Sequence, residues 1–277
     1  MVQIALIRPT RRREPLPVVR SLTIADLKDV LSKGLEDFMA MPTHVIFLCA
    51  FYPIAGILLF RMTFAYDLLP LLYPLAAGFA IIGPLAAVGL YELSRRRESD
   101  LETSLRHVFD IIHSPSLGSI LVLGTVLMFI FAVWISVANM IYVANFGDHH
   151  IPSVVDFVHT VLVSPQGHNL IIVGNLVGLL LAMAAACISV ISFPLLLERD
   201  VGYRVAMMTS LRVVAKNPVT MGVWFLIVAV ALAIGTLPLF MGLAVVLPIL
   251  GHATWHLYRR AVEPAPSSAA CVTATPY

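Results

Sequence analysis

The stretch GPLAAVGLYELSRRR, Gly83 to Arg97, is an apolar run that ends in a block of arginines. As the end of a membrane helix it places Leu85, Val88 and Leu90 in lipid, Tyr91 at headgroup depth, and Arg95, Arg96 and Arg97 in cytoplasmic water. Basic residues that flank a span stay on the inner side, so this one stretch predicts orientation as well as class. The phrasing returns more loosely at FPLLLERD, Phe193 to Asp200, and at LPILGHATWHLYRR, Leu247 to Arg260. The whole chain agrees, with 59% hydrophobic and 12% charged residues over 277 positions and a mean hydropathy of +0.91. That is about half the charge of an ordinary soluble domain, too little polar surface to coat a globule. The composition predicts an all-α polytopic membrane protein. Its formal charge of +2 decides nothing, because here charge acts by location.

Residues 1–20 are Arg- and Pro-rich and predict a disordered cytoplasmic arm. Arg8 and Arg11 to Arg13 follow only a short apolar patch, the reverse of a signal peptide's order, so no cleavage is expected. From Leu22 to Met41, Leu27, Val30, Leu31, Leu35 and Phe38 fall at helical spacing, with Asp26, Lys28, Asp29, Lys33, Glu36 and Asp37 on the other face. This predicts an amphipathic helix lying on the membrane surface. After Pro42, apolar runs predict spans at about His44 to Phe60, Leu69 to Leu93, Leu117 to Val143, Leu170 to Leu197, Val219 to Ile234, and a sixth ending near Tyr258. A second amphipathic stretch carries Leu101, Leu105, Val108, Phe109 and Ile112, and a third carries Val205, Met208, Leu211 and Val214. The longest outer loop, Ala144 to Asn169, has room for a short helix near Val154 to Val163. Residues 261–277 predict a second disordered tail, leaving 21–260 as the membrane domain.

One pattern therefore recurs three times: an amphipathic helix, then Pro42, Pro115 or Pro218, an outward span, and an inward span interrupted by Pro84, Pro194 or Pro248. The prediction is six transmembrane helices in three hairpins, each preceded by a cytoplasmic amphipathic helix. Of the 18 Lys and Arg residues only Arg61 falls outside the segments assigned to the cytoplasm, so both termini are expected inside. Cys49 and Cys187 lie in apolar runs and Cys271 in the tail, without a CxxC pair, so no disulfide is expected.

Several polar groups are candidates for chemistry. His252 and His256 are four apart on the sixth span, with His44 at a comparable depth on the first, and could ligate haem or a metal. They could equally sit with Trp255 and Tyr258 in an interfacial belt. In the outer loop, His149, His150, Asp156 and His159 could bind zinc or copper, or be simply solvated. Asn139 and Asn175, on spans three and four, could line a hydrophilic path or bond between helices, and the small residues of GNLVG and AMAAACIS favour close helix contact. Glu92 at the inner end of span two, with Glu198 in the matching place on span four, could relay protons; Arg95 and Arg96, three and four residues on, would instead make Glu92 a clamp. The middle of every span is free of acids, which argues against a proton-driven carrier. P-loop, Rossmann and nucleophile-elbow patterns are absent, and the arginine runs lack the interleaved aromatics of a nucleic-acid surface.

GPLAAVGLYELSRRRE, SFPLLLERD, the KNP before span five and GHATWHLYR together resemble a bacterial domain-of-unknown-function family of six-span inner-membrane proteins, over about residues 21–260. Some members of that family carry a cytochrome c oxidase subunit label. A haem-copper catalytic subunit has twelve spans and six histidine ligands, so the resemblance implies at most an accessory or assembly partner. The reading of the residues is a non-enzymatic inner-membrane accessory or scaffold protein, with no cofactor expected and partners among lipids, other membrane subunits or further copies of the chain. The alternative is a small-solute transporter or channel built on the threefold repeat, and a third is a haem- or metal-binding redox protein.

Overall fold

A computed structural model describes residues 16–41, 56–57, 61, 69–104, 110–147, 154–238 and 242–264. Among these the regular elements are helical: α1 (Ile24–Ala40), α2 (Leu72–Ala86), α3 (Val88–Glu98), α4 (Leu117–Phe146), α5 (Val154–Val163), α6 (Pro165–Ser189), α7 (Ser192–Glu198), α8 (Tyr203–Lys216), α9 (Pro218–Thr236) and α10 (Leu243–Ala261). Among the described residues four stretches are long and apolar enough to cross a membrane: Leu72–Glu98, Leu117–Phe146, Pro165–Glu198 and Pro218–Thr236. The protein is an integral membrane protein on that pattern. The first predicted span lies almost wholly outside the described residues, as do Leu105, Val108 and Phe109 of the second amphipathic stretch. The sixth predicted span, α10, falls short of the four because its last turns carry His252, His256, Arg259 and Arg260.

Proline placement explains the breaks. Pro84 lacks an amide hydrogen and crowds the carbonyl four residues back, so α2 ends at Ala86 and α3 resumes at Val88. A turn at Val190 and Ile191 separates α6 from α7, and Pro194 falls in the first turn of α7, where its ring is tolerated. The predicted outer loop is more helical than the sequence suggested. The fourth helix runs on to Phe146, α5 occupies Val154–Val163, and α6 opens at Pro165 behind an N-cap in which Ser164 accepts from the Gly167 amide at 3.0 Å.

In the apolar layer α2, α4 and α6 pack on one another around Trp134, whose indole nitrogen donates to the Pro74 carbonyl at 2.8 Å. Gly78 and Gly178 leave room for this ring, since an added Cβ would come within 3.0 Å of Trp134 at Gly78 and 2.9 Å at Gly178. Close approach through glycine is the usual way helices associate in lipid, where burying apolar surface gains nothing. The outward faces of these helices carry Leu121, Phe129, Met140, Leu179 and Leu180, all exposed.

At the arginine-rich end α3, α7 and α10 meet, and α1 and α8 close over them. The inner half of α10 is enclosed on every side, so that Trp255, Leu257 and Tyr258 are buried. The expected interfacial belt is thus replaced by a protein core. Two faces also differ from the predicted stripes. α1 buries Leu27, Val30, Gly34 and Asp37 while Leu35 is exposed. α8 buries Ala206, Thr209, Ser210 and Val213 and turns Met208 and Leu211 outward. Leu27 and Val30 are buried as the stripe predicts, while Gly34 on α1 and Ala206, Thr209 and Ser210 on α8 face a neighbour because small side chains let helices approach closely. Residues 18–20 run antiparallel to 261–263, with Arg20 N donating to Ala261 O at 2.8 Å and Glu263 N to Val18 O at 3.0 Å.

Candidate functional site: a buried carboxylate at the arginine-rich end

Asp37 is the centre of the polar cluster. Thr23 and Asp26 cap α1 reciprocally, and Gly34 lies so close to α10 that a Cβ there would be 2.7 Å from the Ala253 Cβ. One turn on, Asp37 enters the interface with 4% exposure. Its Oδ2 accepts from Ser94 Oγ of α3 at 2.6 Å and from His256 Nε2 of α10 at 2.9 Å, and its Oδ1 pairs with Arg97. His252 Nδ1 lies 2.6 Å from Ser94 Oγ.

The proton positions follow from what each group can do. An ionised carboxylate only accepts, so the Ser94 hydroxyl hydrogen and the His256 Nε2 hydrogen both point at Asp37. Ser94 Oγ is then free to accept from His252 Nδ1–H, which leaves the His252 Nε2 lone pair bare; that atom is buried with no hydrogen-bond partner among the described residues. Burial alone would raise the Asp37 carboxyl, but the bonds from His256, Ser94 and Arg97 hold it below its ordinary value. His252 is fully buried beside it.

An ion-pair lattice surrounds the cluster. Glu92, also buried, takes two bonds of 2.7 Å from Arg95, with Arg96 at 3.7 Å. Arg259 reaches Glu98 of α3 at 2.9 Å and Glu198 of α7 at 2.7 Å. Trp255 Nε1 donates to Glu98 at 2.9 Å, Tyr258 donates to Glu198, and Arg260 joins Asp29 of α1 at 2.6 Å.

Of the sequence candidates, then, His252, His256, Glu92, Arg95, Arg96 and Glu198 all stand at this end. The others do not join them. His44, His149 and His150 lie outside the described residues. Asp156 and His159 are exposed on α5. Asn139 is on the exposed face of α4, and Asn175 accepts from the Tyr73 hydroxyl at 2.8 Å beside a shallow pocket of about 210 Å³ between α2, α4 and α6. Among the described residues no group of three His, Cys, Asp or Glu is set to hold a metal ion. Asp37, Ser94, Arg97, Glu98 and Arg259 were missed as members of the site. The available signal was the spacing of Leu27, Val30, Gly34 and Asp37, which places the aspartate on the stripe that faces α10.

A family profile described as "Predicted integral membrane protein (DUF2189)" matches residues 72–198, from the start of α2 to the end of α7. No curated protein and no solved structure matches the chain.

Proposed function

We propose that the protein is a non-enzymatic scaffold or accessory subunit of a bacterial inner membrane, with six spans, both termini cytoplasmic, and an arginine-rich end that holds its helices in fixed register. The observation that carries this reading is Asp37, one buried carboxylate that ties α1 to α3 and α10. Ser94 and His252, the hydroxyl and imidazole able to pass a proton, are both fully enclosed, so their bonding favours stiffness over turnover. A respiratory oxidase is the first neighbour to seek, on the sequence resemblance alone. Tagged protein extracted from native membranes in mild detergent should bring other membrane subunits with it. A chain that elutes alone or only with copies of itself would overturn the accessory role, and a carboxy-terminal reporter active in the periplasm would overturn the orientation. The same preparation should show no Soret band, in keeping with a protein that works without haem.

A second reading, a small-solute carrier or channel, is favoured by the Tyr73–Asn175 pair beside the pocket between α2, α4 and α6. Proteoliposomes that leak a small solute, and stop when Asn175→Leu is introduced, would establish it in place of the first.

A further inference from the structure

Residues 16–19 and α8 enclose a groove of about 520 Å³ lined by Leu16, Val18, Val19, Arg212, Ala215 and Lys216. Its cations are aimed at the strand, with Lys216 Nζ donating to Val19 O at 2.8 Å and Arg212 to Pro17 O at 3.4 Å. Each of these bonds is to a neutral carbonyl, and among the described residues no carboxylate is paired with either cation. The groove lining holds no carboxylate, and the nearby Glu263 is turned to Arg20 at 3.8 Å. Leu16 and Val18 of the lining are more than half exposed, as is Met208 one turn before Arg212 on α8, and Val219, three residues after Lys216, is 71% exposed. Lys216 lies two residues before Pro218, where the candidate span α9 begins. Met208, Arg212 and Lys216, four residues apart, put an apolar side chain and two cations on one exposed face of α8 at the mouth of a span, which matches a membrane interface better than bulk water.

We propose that this groove binds the phosphate headgroup of an acidic phospholipid, with Arg212 and Lys216 holding the phosphate and Leu16, Val18, Met208 and Val219 lying against its acyl chains. The inference rests on the protein's membrane placement and not on the scaffold reading, and its test reads lipid and not partners. The purified full chain would be titrated with phosphatidylglycerol and with phosphatidylcholine, and bound lipid counted by native mass spectrometry. Phosphatidylglycerol should be retained preferentially. Arg212→Gln should lower its retention about fivefold, the worth of one cation near an anionic headgroup. Arg212→Lys should restore it. Because Arg212→Gln could also loosen the strand, Ala215→Glu is the independent variant; it brings a negative charge into the groove, removes no bond to residues 16–19, and should weaken retention at least as much. Lys28→Gln, an equal charge change on the exposed face of α1, should leave it unaltered. Equal retention of the two lipids, an effect of Lys28→Gln as large as that of Ala215→Glu, or inorganic phosphate competing as well as the lipid would each overturn the proposal.

Discussion

At Asp37 three donors from two other helices converge on a residue with the composition of a surface position. A buried acid needs such partners, because a bare carboxylate in that place would raise its affinity for a proton and disrupt the interface. Asp37→Asn keeps the shape but turns an amide hydrogen toward donors that need an acceptor. It should cost about 2–3 kcal/mol, the scale of a hydrogen bond to a charged group, visible as a lower melting temperature in detergent. The pH dependence follows from Asp37. A carboxyl held below its unfolded value stabilises above that value, and the gain is lost as pH falls through the folded one. The melting temperature should therefore fall as the pH is taken below the ordinary carboxyl value of 3.8, and Asp37→Asn should flatten that fall. A wild-type curve no steeper in acid than that of Asp37→Asn would show that the carboxylate is not held as described.

Between helices the deciding quantity is how closely two backbones can approach. Gly34→Ala gains up to about 1 kcal/mol of helix propensity. Its Cβ, however, would stand 2.7 Å from both the Cβ and the backbone nitrogen of Ala253 and 2.8 Å from the Ile249 carbonyl. Backbone atoms cannot step aside singly, so overpacking of about 1–3 kcal/mol should win and the variant should be destabilised. Gly174→Ala is the counterpart: its Cβ meets nothing within 4 Å, and thermal melting should show it neutral or slightly stabilised. The contrast shows what the sequence could and could not reveal. Hydropathy and proline placement were enough to locate α4 and α9 to within a few residues, the stretch from α6 through α7 as one span starting five residues late, and α5 in full, because apolar length and a missing amide hydrogen act locally. On α1 they placed Leu27 and Val30 inward correctly but Leu35 wrongly, and they misjudged the inward face of α8, because pattern reports which side chains are apolar and not which neighbour covers them. On α8 the small residues Ala206, Thr209, Ser210 and Val213 took the contact, and Met208 and Leu211 were left outside. Asp37 was misplaced for the same reason, since its acidity suggested solvent while its position one turn after Gly34 put it against α10.

Seen whole, the arginine-rich end is a junction of chain segments far apart in sequence. α3, α7 and α10 close three separate stretches, α1 covers α10, and α8 covers α6 and α7. Counted from Pro84 and from Pro248, Glu92 and His256 stand at the same distance, as do Arg95 and Arg259, yet the two arginines act differently. Arg95 turns back to Glu92 on its own helix, whereas Arg259 reaches across to Glu98 and Glu198 on two others. Arg259 is therefore the side chain through which all three helix ends are joined by charge. Removing it takes the cross-helix cation from two carboxylates, leaving Glu98 with Trp255 and Glu198 with Tyr258 and, at 3.7 Å, Arg199, while removing either acid leaves one pair intact. Its partners are about a quarter to a third exposed, which trims each pair's worth below that of a buried one. Arg259→Ala should cost about 2 kcal/mol, more than Glu98→Gln or Glu198→Gln singly. If the three helices act as one unit, the effect of Glu98→Gln should shrink by about 1 kcal/mol or more when Arg259 is already alanine. Melting temperatures of the single variants and of the Arg259→Ala, Glu98→Gln double variant in one detergent would measure this, and strictly additive losses would mean that Arg259 does not join the ends of α3 and α10 by charge.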